Sequence, residues 1–268
     1  MASDSKSRIL LVALAVCAVC AVLVSVAAVG LKPRQEVNQR MDKLRNILDA
    51  GGLLSPGVDV ADTYNRSVRA GFVRLSDGSW LEKPDVPGGV TPEAFDFQRL
   101  AMRAGTGRAL APAEDPSGLK RIPRFMPVFV VEDDAEKPVR LILPVVGKGL
   151  WSTLYGFLAM DPDLRTIRRL IFYDHGETPG LGGEIDNPRW QEKWDGKLAF
   201  GEDGRIRIAV LHGSVQADDP LARHHVDGIS GATKTTQGVQ SMVRFWLGGN
   251  GYGPFLSHAA KEGLHVTR

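Results

Sequence analysis

Cysteine is almost absent from this 268-residue chain. Its two cysteines, Cys17 and Cys20, both lie in an apolar run near the N-terminus. A Cys-x-x-Cys pair in a polar segment would suggest redox or metal chemistry, but within an apolar run these small, soft side chains favour simple packing. The rest of the chain has no disulfide, thiolate nucleophile or cysteine-ligated cluster of its own. Any redox chemistry there requires a bound organic cofactor or another subunit.

An excess of charge is lacking as well. The 33 Lys and Arg residues nearly balance 31 Asp and Glu residues, for a formal net charge of +2. No stretch interleaves basic runs with aromatics, so we expect no nucleic-acid binding. The histidines nearest to candidate motifs, His175, His224 and His225, supply no set of three or four ligands with zinc spacing, and we expect no metal site. Gly-x-Ser-x-Gly does not occur, which excludes that hydrolase signature.

A long apolar run does occur, at residues 9–31 (ILLVALAVCAVCAVLVSVAAVGL), without a charge. About 20 apolar residues cross a bilayer, so the run predicts one transmembrane helix after a short cytoplasmic segment, residues 1–8. A cleaved signal peptide is the alternative, but its apolar core is usually about 7–15 residues long. Basic residues flank the run on both sides. A simple charge count keeps the following domain in the cytoplasm, yet long domains cross largely regardless of charge, so the residues alone leave the side open.

Residues 32–54 form the predicted stalk helix region, in which the helical pattern runs over 35–50 and ends at Gly51 and Gly52. Its apolar side chains recur on one helical face: Val37, Met41, Leu44, Ile47 and Leu48. Residues 55–125 are rich in Pro, Gly and isolated charges, and predict only short elements.

Several short runs of β-branched and aromatic residues predict strands, and helices between them are sparse. They are 128–131 and 139–146, joined as a hairpin through the acidic turn 132–137, and then 155–160, 166–173, 197–200 and 206–211. This pattern predicts an α+β fold in which a largely antiparallel sheet forms a domain over residues 55–268.

The stretch most informative about chemistry is 225–248, HVDGISGATKTTQGVQSMVRFWLG. Val239, Met242, Val243 and Trp246 are spaced as one face of an amphipathic helix. The preceding turn is rich in small residues, and Ser230 and Thr233 are both natural helix caps. Such a turn at a helix N-terminus favours phosphate, and Lys234 adds a cation. On the residues alone, a plain capped helix after a glycine turn is the favoured interpretation, because such turns are common.

The string Asp227-Gly228-Ile229-Ser230-Gly231-Ala232-Thr233 resembles the flavinylation motif of proteins that carry FMN esterified through its phosphate to the final threonine. The resemblance implies that Thr233 is the acceptor. It also implies that a separate flavin transferase, which uses FAD and a divalent metal, attaches the cofactor, and that Asp227 orients or activates the acceptor hydroxyl.

Two more stretches are similar to the C subunit of the sodium-translocating NADH:quinone reductase. They are Gly149–Phe157 (GLWSTLYGF) and His175–Gly182 (HGETPGLG). With the early helix and the single apolar run, the resemblance covers nearly the whole chain except residues 55–125. It implies an FMN-binding region at about 140–250 within the membrane-anchored α+β fold.

The resemblance and the small-residue loops together nominate a set of flavin contacts. Glu177 and Thr178 either bond the ring or shape the loop, and Trp151 and Tyr155 either stack on the ring or belong to the core. The full set of candidate cofactor-binding residues is Thr233, Asp227, Ser230, Gly231, Ala232, Lys234, Glu177, Thr178, Leu181, Gly182, Trp151 and Tyr155.

The resemblance further implies an electron-transfer subunit of a multi-subunit complex in a bacterial inner membrane. Electrons from NADH would pass through the covalent FMN toward ubiquinone, coupled to sodium export. Covalent attachment suits a domain in the periplasm, where lost FMN is not readily replaced. The alternatives are the flavin-bearing G subunit of the Rnf ferredoxin-linked complex, and a non-catalytic anchored domain that binds a partner without flavin.

Overall fold

A computed structural model describes residues 3–81, 83–86 and 89–264. Residues 1 and 2 of the predicted N-terminal segment, and 265–268 of the predicted domain, lie outside the described residues. The chain divides into two compact units, residues 1–42 and 43–268.

The described part of the first unit lies within one long helix, α1 (Ser3–Gly51), and includes its apolar run. Of the described helices, α1 alone is long and apolar enough to cross a membrane, and the apolar side chains of its residues 9–31 are exposed in the structure. The predicted span 9–31 and residues 32–51 of the predicted stalk lie in this one helix, which continues through Pro33 although proline lacks a backbone N–H to donate. Residues 52–54 lie beyond its end. The predicted end is confirmed: α1 stops at Gly51, and Gly52 has a positive φ of 75°.

The second unit begins with the last turns of α1 and continues through short elements. They are α2 (Val60–Ser67), β1 (Val68–Arg74), β2 (Trp80–Leu81), α3 (Phe97–Met102), β3 (Gly107–Ala109) and β4 (Arg121–Pro123). The sequence prediction missed β1, which pairs with β5 (Phe125–Glu132) along its whole length. The sequence of β1 shows no alternation, because Gly71 replaces a side chain where the ring of Trp80 covers the strand.

The middle of the chain forms the antiparallel strands that the sequence predicts. After β5 come β6 (Pro138–Lys148), β7 (Thr153–Met160) and β8 (Thr166–Asp174), each paired with its predecessor. The predicted hairpin across 132–137 is confirmed as the β5–β6 pair.

The remaining elements are α4 (Pro188–Gln191), β9 (Lys197–Leu198), β10 (Ala209–Val210), β11 (His225–Val226), α5 (Thr233–Leu247) and α6 (Gly253–Glu262). The predicted strands 197–200 and 206–211 were too long. The backbone N–H groups of Arg207 and Ile208 both donate to the carbonyl of Ala199, so the chain turns and the ladder cannot continue. Accordingly β10 leaves the main sheet and pairs in parallel with β11.

Seven strands form the main sheet in the order β2-β1-β5-β6-β7-β8-β9, and every neighbouring pair is antiparallel. One face packs against α5, whose predicted apolar stripe is fully buried: Val239, Met242, Val243 and Trp246. The other face is covered by the end of α1 and by α2, with Leu44, Ile47 and Leu48 buried. The predicted α+β class with a mostly antiparallel sheet is confirmed.

Candidate flavin site

Three chain segments meet at one end of α5: the turn between β6 and β7, the loop that follows β8, and the first turn of α5 itself. They enclose a cavity of about 220 Å³. Its lining residues are Leu150, Trp151, Glu177, Thr178, Leu181, Gly182, Gly231, Ala232, Thr233, Lys234 and Thr235. The volume is below the range of roughly 300–1,000 Å³ of pockets that enclose a whole ligand, so the cavity suits one part of a larger molecule.

The N-terminus of α5 opens into this cavity. The helix begins at Thr233, its N-cap is Ala232, and no side chain of the described residues caps its first turn. The expected caps, Ser230 and Thr233, therefore do not cap the helix. Gly231 supplies the left-handed turn before it, with φ of 74°. Uncapped N–H groups at the positive end of a helix dipole attract an anion.

The threonines of this first turn differ in the state of their hydroxyl groups. The Thr235 hydroxyl donates to Glu177 at 2.6 Å, and the Thr236 hydroxyl donates to the carbonyls of Ala232 and Thr233. Both side chains are buried. Thr233 is exposed, and its hydroxyl has no hydrogen-bond partner within the described ranges. Thr233 is the threonine of this turn whose hydroxyl is free to react.

Glu177 is a buried carboxylate at the centre of the site, with 4 % of its surface exposed. Oε1 accepts from the backbone N–H groups of Trp151 and Ser152 and from the Ser152 hydroxyl, at 2.9, 3.0 and 3.1 Å. Oε2 accepts from the Leu150 N–H at 3.1 Å and from Thr235. Burial opposes the charge of Glu177, but these hydrogen bonds outweigh it and hold the pKa of the carboxyl below its usual range. The carboxylate thus joins all three segments of the site.

Glycines leave the space that this carboxylate fills. A Cβ on Gly149 would lie 2.5 Å from Oε1 of Glu177. A Cβ on Gly182 would lie 2.5 Å from Oγ1 of Thr235 and 2.9 Å from Oε2 of Glu177. The three segments can close around Glu177 only because these positions lack side chains.

Apolar side chains form an exposed rim on the cavity. Leu150, Trp151 and Leu181 are 51 %, 72 % and 46 % exposed. Trp151 is therefore not a core aromatic, which was the alternative that its sequence context left open. Large apolar groups clustered at a cavity mouth are typical of a ligand-binding surface.

The comparisons with known proteins agree with this geometry. The family model described as FMN-binding domain matches residues 149–248, which include all three segments. The C subunit of the Na(+)-translocating NADH-quinone reductase of Pseudomonas aeruginosa is 43 % identical over 261 residues, covering 96 % of this chain and 97 % of the relative. The same subunit of Yersinia pestis is 40 % identical, covering 98 % of this chain and 96 % of that one. The chain belongs to this C-subunit family.

A solved structure of the C-subunit family shares the fold. The crystal structure of Shewanella oneidensis NqrC has a TM-score of 0.76 and 32 % identity, and covers 84 % of this chain and 100 % of that chain. The resemblance to the C-subunit family that the sequence motifs carry is confirmed, and of the two flavoprotein families considered, the relatives favour this one.

In this member of the C-subunit family, the residues suit an FMN. The exposed hydroxyl, the uncapped helix end and the cation of Lys234 match a phosphate, while the apolar rim matches an aromatic ring system. The structure brings most candidate residues to the cavity: Thr233, Gly231, Ala232, Lys234, Glu177, Thr178, Leu181, Gly182 and Trp151.

Three candidates lie outside the cavity lining. Ser230 is exposed beside it. Tyr155 sits on β7, where its hydroxyl is 2.5 Å from the Gln98 side-chain nitrogen. Asp227 accepts from Lys193 at 2.6 Å and from the Val215 N–H at 2.7 Å.

The environment of Asp227 is that of a stable ion pair. Burial opposes its charge, but the hydrogen bonds from Lys193 and from the Val215 N–H outweigh burial and hold the pKa of the carboxyl below its usual range. The carbonyl of Asp227 also accepts from the Trp190 indole at 2.8 Å. These contacts fix the start of the turn that carries Thr233.

Sequence reasoning missed two lining residues, Leu150 and Thr235. Leu150 neighbours Trp151, so the motif placed it close. Nothing local marks Thr235, because its role depends on Glu177, 58 positions earlier in the chain.

The histidines near the site act within the protein. His175 Nδ1 accepts from the Glu177 N–H at 3.1 Å, so Nε2 carries the proton toward Asp186 at 2.7 Å. His225 contacts Asp219, and His224 contacts the Leu198 carbonyl. Over residues 3–81, 83–86 and 89–264, no group of three or more His, Cys, Asp or Glu side chains could hold a metal ion.

Proposed function

We propose that this chain carries FMN covalently, through a phosphoester to Thr233, and relays electrons as the C subunit of a sodium-translocating NADH-quinone reductase. The observation that carries the proposal is the free, exposed Thr233 hydroxyl at the uncapped N-terminus of α5. Two nearby threonines of identical chemistry are buried and hydrogen-bonded, so the fold presents a single threonine of this turn for modification.

Attachment is a phosphoryl transfer that a separate flavin transferase catalyses with FAD and a divalent metal. The Thr233 oxygen attacks the phosphorus on the flavin side of the FAD pyrophosphate. The bond from that phosphorus to the bridging oxygen breaks and AMP leaves, while the hydroxyl proton passes to a base. The exposure of Thr233 supports this proposal, because a second enzyme must reach the acceptor hydroxyl.

The chain then holds the two ends of the cofactor differently. The first-turn N–H groups of α5 and Lys234 stabilise the phosphoester charge. Trp151, Leu150 and Leu181 supply apolar surface for the ring. The Asp227–Lys193 pair keeps the acceptor turn in place, which is the role that we assign to Asp227. FMN supplies the electron transfer itself, and the protein's contribution is position and local polarity.

The cellular setting follows from the family and from α1. As a member of the C-subunit family, the chain would work with the other membrane and peripheral subunits of its complex, passing electrons from NADH toward ubiquinone while sodium is exported. Residues 9–31 of α1 suit a single span of a bacterial inner membrane. We place the following domain in the periplasm, since a covalent bond retains a cofactor that could not be replaced there.

Replacing the acceptor hydroxyl tests the proposal. Coexpressed with the transferase, Thr233→Ala should lose the FMN mass and the fluorescence of the denatured band, while thermal unfolding stays near that of the wild type because Thr233 is exposed and makes no side-chain hydrogen bond within the described residues. Thr233→Ser, which keeps a hydroxyl, should retain the adduct.

Ser230→Ala is the matched control, since Ser230 is the other exposed hydroxyl of the motif. It should keep its FMN on Thr233. Covalent FMN in Thr233→Ala would show that the ester is on another residue. If Ser230→Ala loses the FMN while Thr233→Ala keeps it, the ester is on Ser230. A wild-type chain that stays colourless beside an active transferase would favour a non-catalytic binding domain.

A further inference from the structure

We infer that Glu177 is a positioning residue of the flavin site that acts through Thr235 and the Leu150–Ser152 turn, an inference that rests on the proposed function. Sequence similarity alone left two roles for Glu177, a ligand of the flavin ring or a support of the loop. The geometry separates them.

The carboxylate is saturated by the protein. A carboxylate offers about four lone-pair positions. The two oxygens of Glu177 accept five hydrogen bonds, at distances from 2.6 to 3.1 Å. A group whose acceptor capacity is used in this way has none left for a ligand, so Glu177 does not bond the ring.

Three of these bonds instead fix residues that line the cavity, namely Leu150, Trp151 and Thr235. The N–H groups of Leu150 and Trp151 point to Glu177, which orients the backbone from which both rim side chains project. The Thr235 hydroxyl holds the first turn of α5, two residues from the acceptor. One buried carboxylate therefore sets the distance between the surface for the ring and the attachment point for the phosphate.

A second layer supports this arrangement. The Gly176 N–H donates to the Ser152 hydroxyl at 2.8 Å, and the Ser152 hydroxyl in turn donates to Glu177. The loop after β8 is thus tied to the β6–β7 turn by its own backbone as well as by the Glu177 side chain. Residues held from both sides are pre-organised before the cofactor arrives.

The Thr235 hydroxyl allows a matched pair of variants. Thr235→Val keeps the shape but removes the donor to Glu177, whereas Thr235→Ser keeps the donor. Glu177→Gln keeps the size but replaces one carboxylate oxygen with an amide N–H₂, which faces the three donors to Oε1 or the two donors to Oε2. Asp163→Asn is the control, because Asp163 accepts from two backbone N–H groups and a threonine hydroxyl in the turn before β8, in the same way as Glu177, but does not line the flavin cavity.

The first measurement is the rate of FMN attachment by purified transferase, followed by intact mass. Misplacing a reacting group by about 1 Å can cost about a hundredfold, so we expect Glu177→Gln to be slowed about ten- to a hundredfold and Thr235→Val about tenfold. The attachment rates of Thr235→Ser and Asp163→Asn should stay within about twofold of the wild-type rate. Thr235→Ser keeps the donor to Glu177, and Asp163 does not line the flavin cavity. In the labelled fraction of Glu177→Gln, the flavin midpoint potential and fluorescence polarisation should also shift, which a loss of global stability alone would not cause.

The second measurement is hydrogen exchange on the unlabelled full-length chain, which needs no cofactor. The backbone N–H groups of residues 150–152 should exchange slowly in the wild type and faster in Glu177→Gln, and the first turn of α5 should loosen in Thr235→Val. If Glu177→Gln does not fold, the comparison of Thr235→Val with Thr235→Ser tests the positioning role instead.

The two hypotheses fail separately. A wild-type chain that never receives FMN at Thr233 contradicts the proposed function. Hydrogen exchange of residues 150–152 then still tests the positioning role of Glu177. A labelled wild type, with Glu177→Gln and Thr235→Val that match it in attachment rate, flavin potential and exchange, would overturn the positioning role.

Discussion

At the scale of single residues, chemically identical side chains differ in exposure and in hydrogen bonding because their surroundings differ. Thr233, Thr235 and Thr236 lie within one helical turn, yet only Thr233 combines exposure with a hydroxyl free of partners in the described part of the chain. The motif predicts Thr233 as acceptor by resemblance. The hydroxyls of its two neighbours are occupied, that of Thr235 by a long-range contact to Glu177 and that of Thr236 by local contacts to helix carbonyls. Only the contact to Glu177 is hidden from the sequence.

The charge of Glu177 gives the protein a defined pH dependence. Its hydrogen bonds lower the pKa of the carboxyl from the ordinary 4.5. A folded pKa below the unfolded one stabilises the fold fully above pH 4.5, and this contribution is lost as the pH falls through the folded pKa. Glu177→Gln leaves buried donors poorly paired and should lower the free energy of unfolding by about 1–3 kcal/mol at neutral pH.

Urea unfolding of wild type and Glu177→Gln at a series of pH values checks this. The difference in the free energy of unfolding between the two proteins should be constant above about pH 5. It should narrow below pH 4.5, since the protonated acid resembles the amide. A difference that is unchanged down to pH 3 would show that the charge of Glu177 contributes nothing to folding.

At the scale of secondary structure, the elements that the sequence predicts well are those with a strong local pattern. The stripe of α5 and the β-branched runs of β5 and β6 each carry their own periodicity. Strand β1 has no such periodicity, because it contains Gly71 beneath the ring of Trp80. The pairing of β10 with β11 has no local pattern either, because it depends on where the chain turns at Ala199. Patterns reveal which face of an element is buried, whereas pairing depends on contacts distant in sequence.

Gly238 shows how closely α5 approaches the sheet. A Cβ there would collide with the carbonyl oxygen of Lys148 and lie 3.2 Å from Cα of Gly149. Alanine normally stabilises a helix interior by about 1 kcal/mol relative to glycine. Here Gly238→Ala should instead destabilise by about 1–3 kcal/mol, as overpacked sites do.

To relieve the collision in Gly238→Ala, α5 would have to move away from the turn that carries Trp151. We therefore expect FMN attachment to slow as well. Gln237→Ala is the control on the exposed side of the same helix. Thermal unfolding and attachment rate are the measurements. A stabilised Gly238→Ala with normal attachment would mean that the contact between α5 and the β6–β7 turn is looser than the structure shows.

At the scale of the whole molecule, the chain joins one apolar helix to one α+β domain. The sequence predicts both parts, but it divides α1 into a span and a stalk where the structure has one continuous helix. The division arises because Pro33 and the first charges after residue 31 mark the edge of the apolar run, although the backbone continues past them. Neither the charge count nor the helix identifies the side of the membrane, and the periplasmic placement stays a prediction.

The site is likewise a property of the whole domain. Its three segments follow β6, follow β8 and begin α5, and the antiparallel order of the sheet brings them together. The sequence predicts most of the lining by resemblance and by small-residue loops. It cannot predict that Asp227 and Tyr155 are engaged elsewhere, since their partners Lys193 and Gln98 lie 34 and 57 positions away.

The most direct test of the central claim is the mass of the native full-length chain, purified from membranes that contain an active flavin transferase, followed by peptide mapping. The account predicts one added FMN phosphoester, on the peptide that contains Thr233 and on that residue. An unmodified Thr233 peptide from such membranes would contradict it.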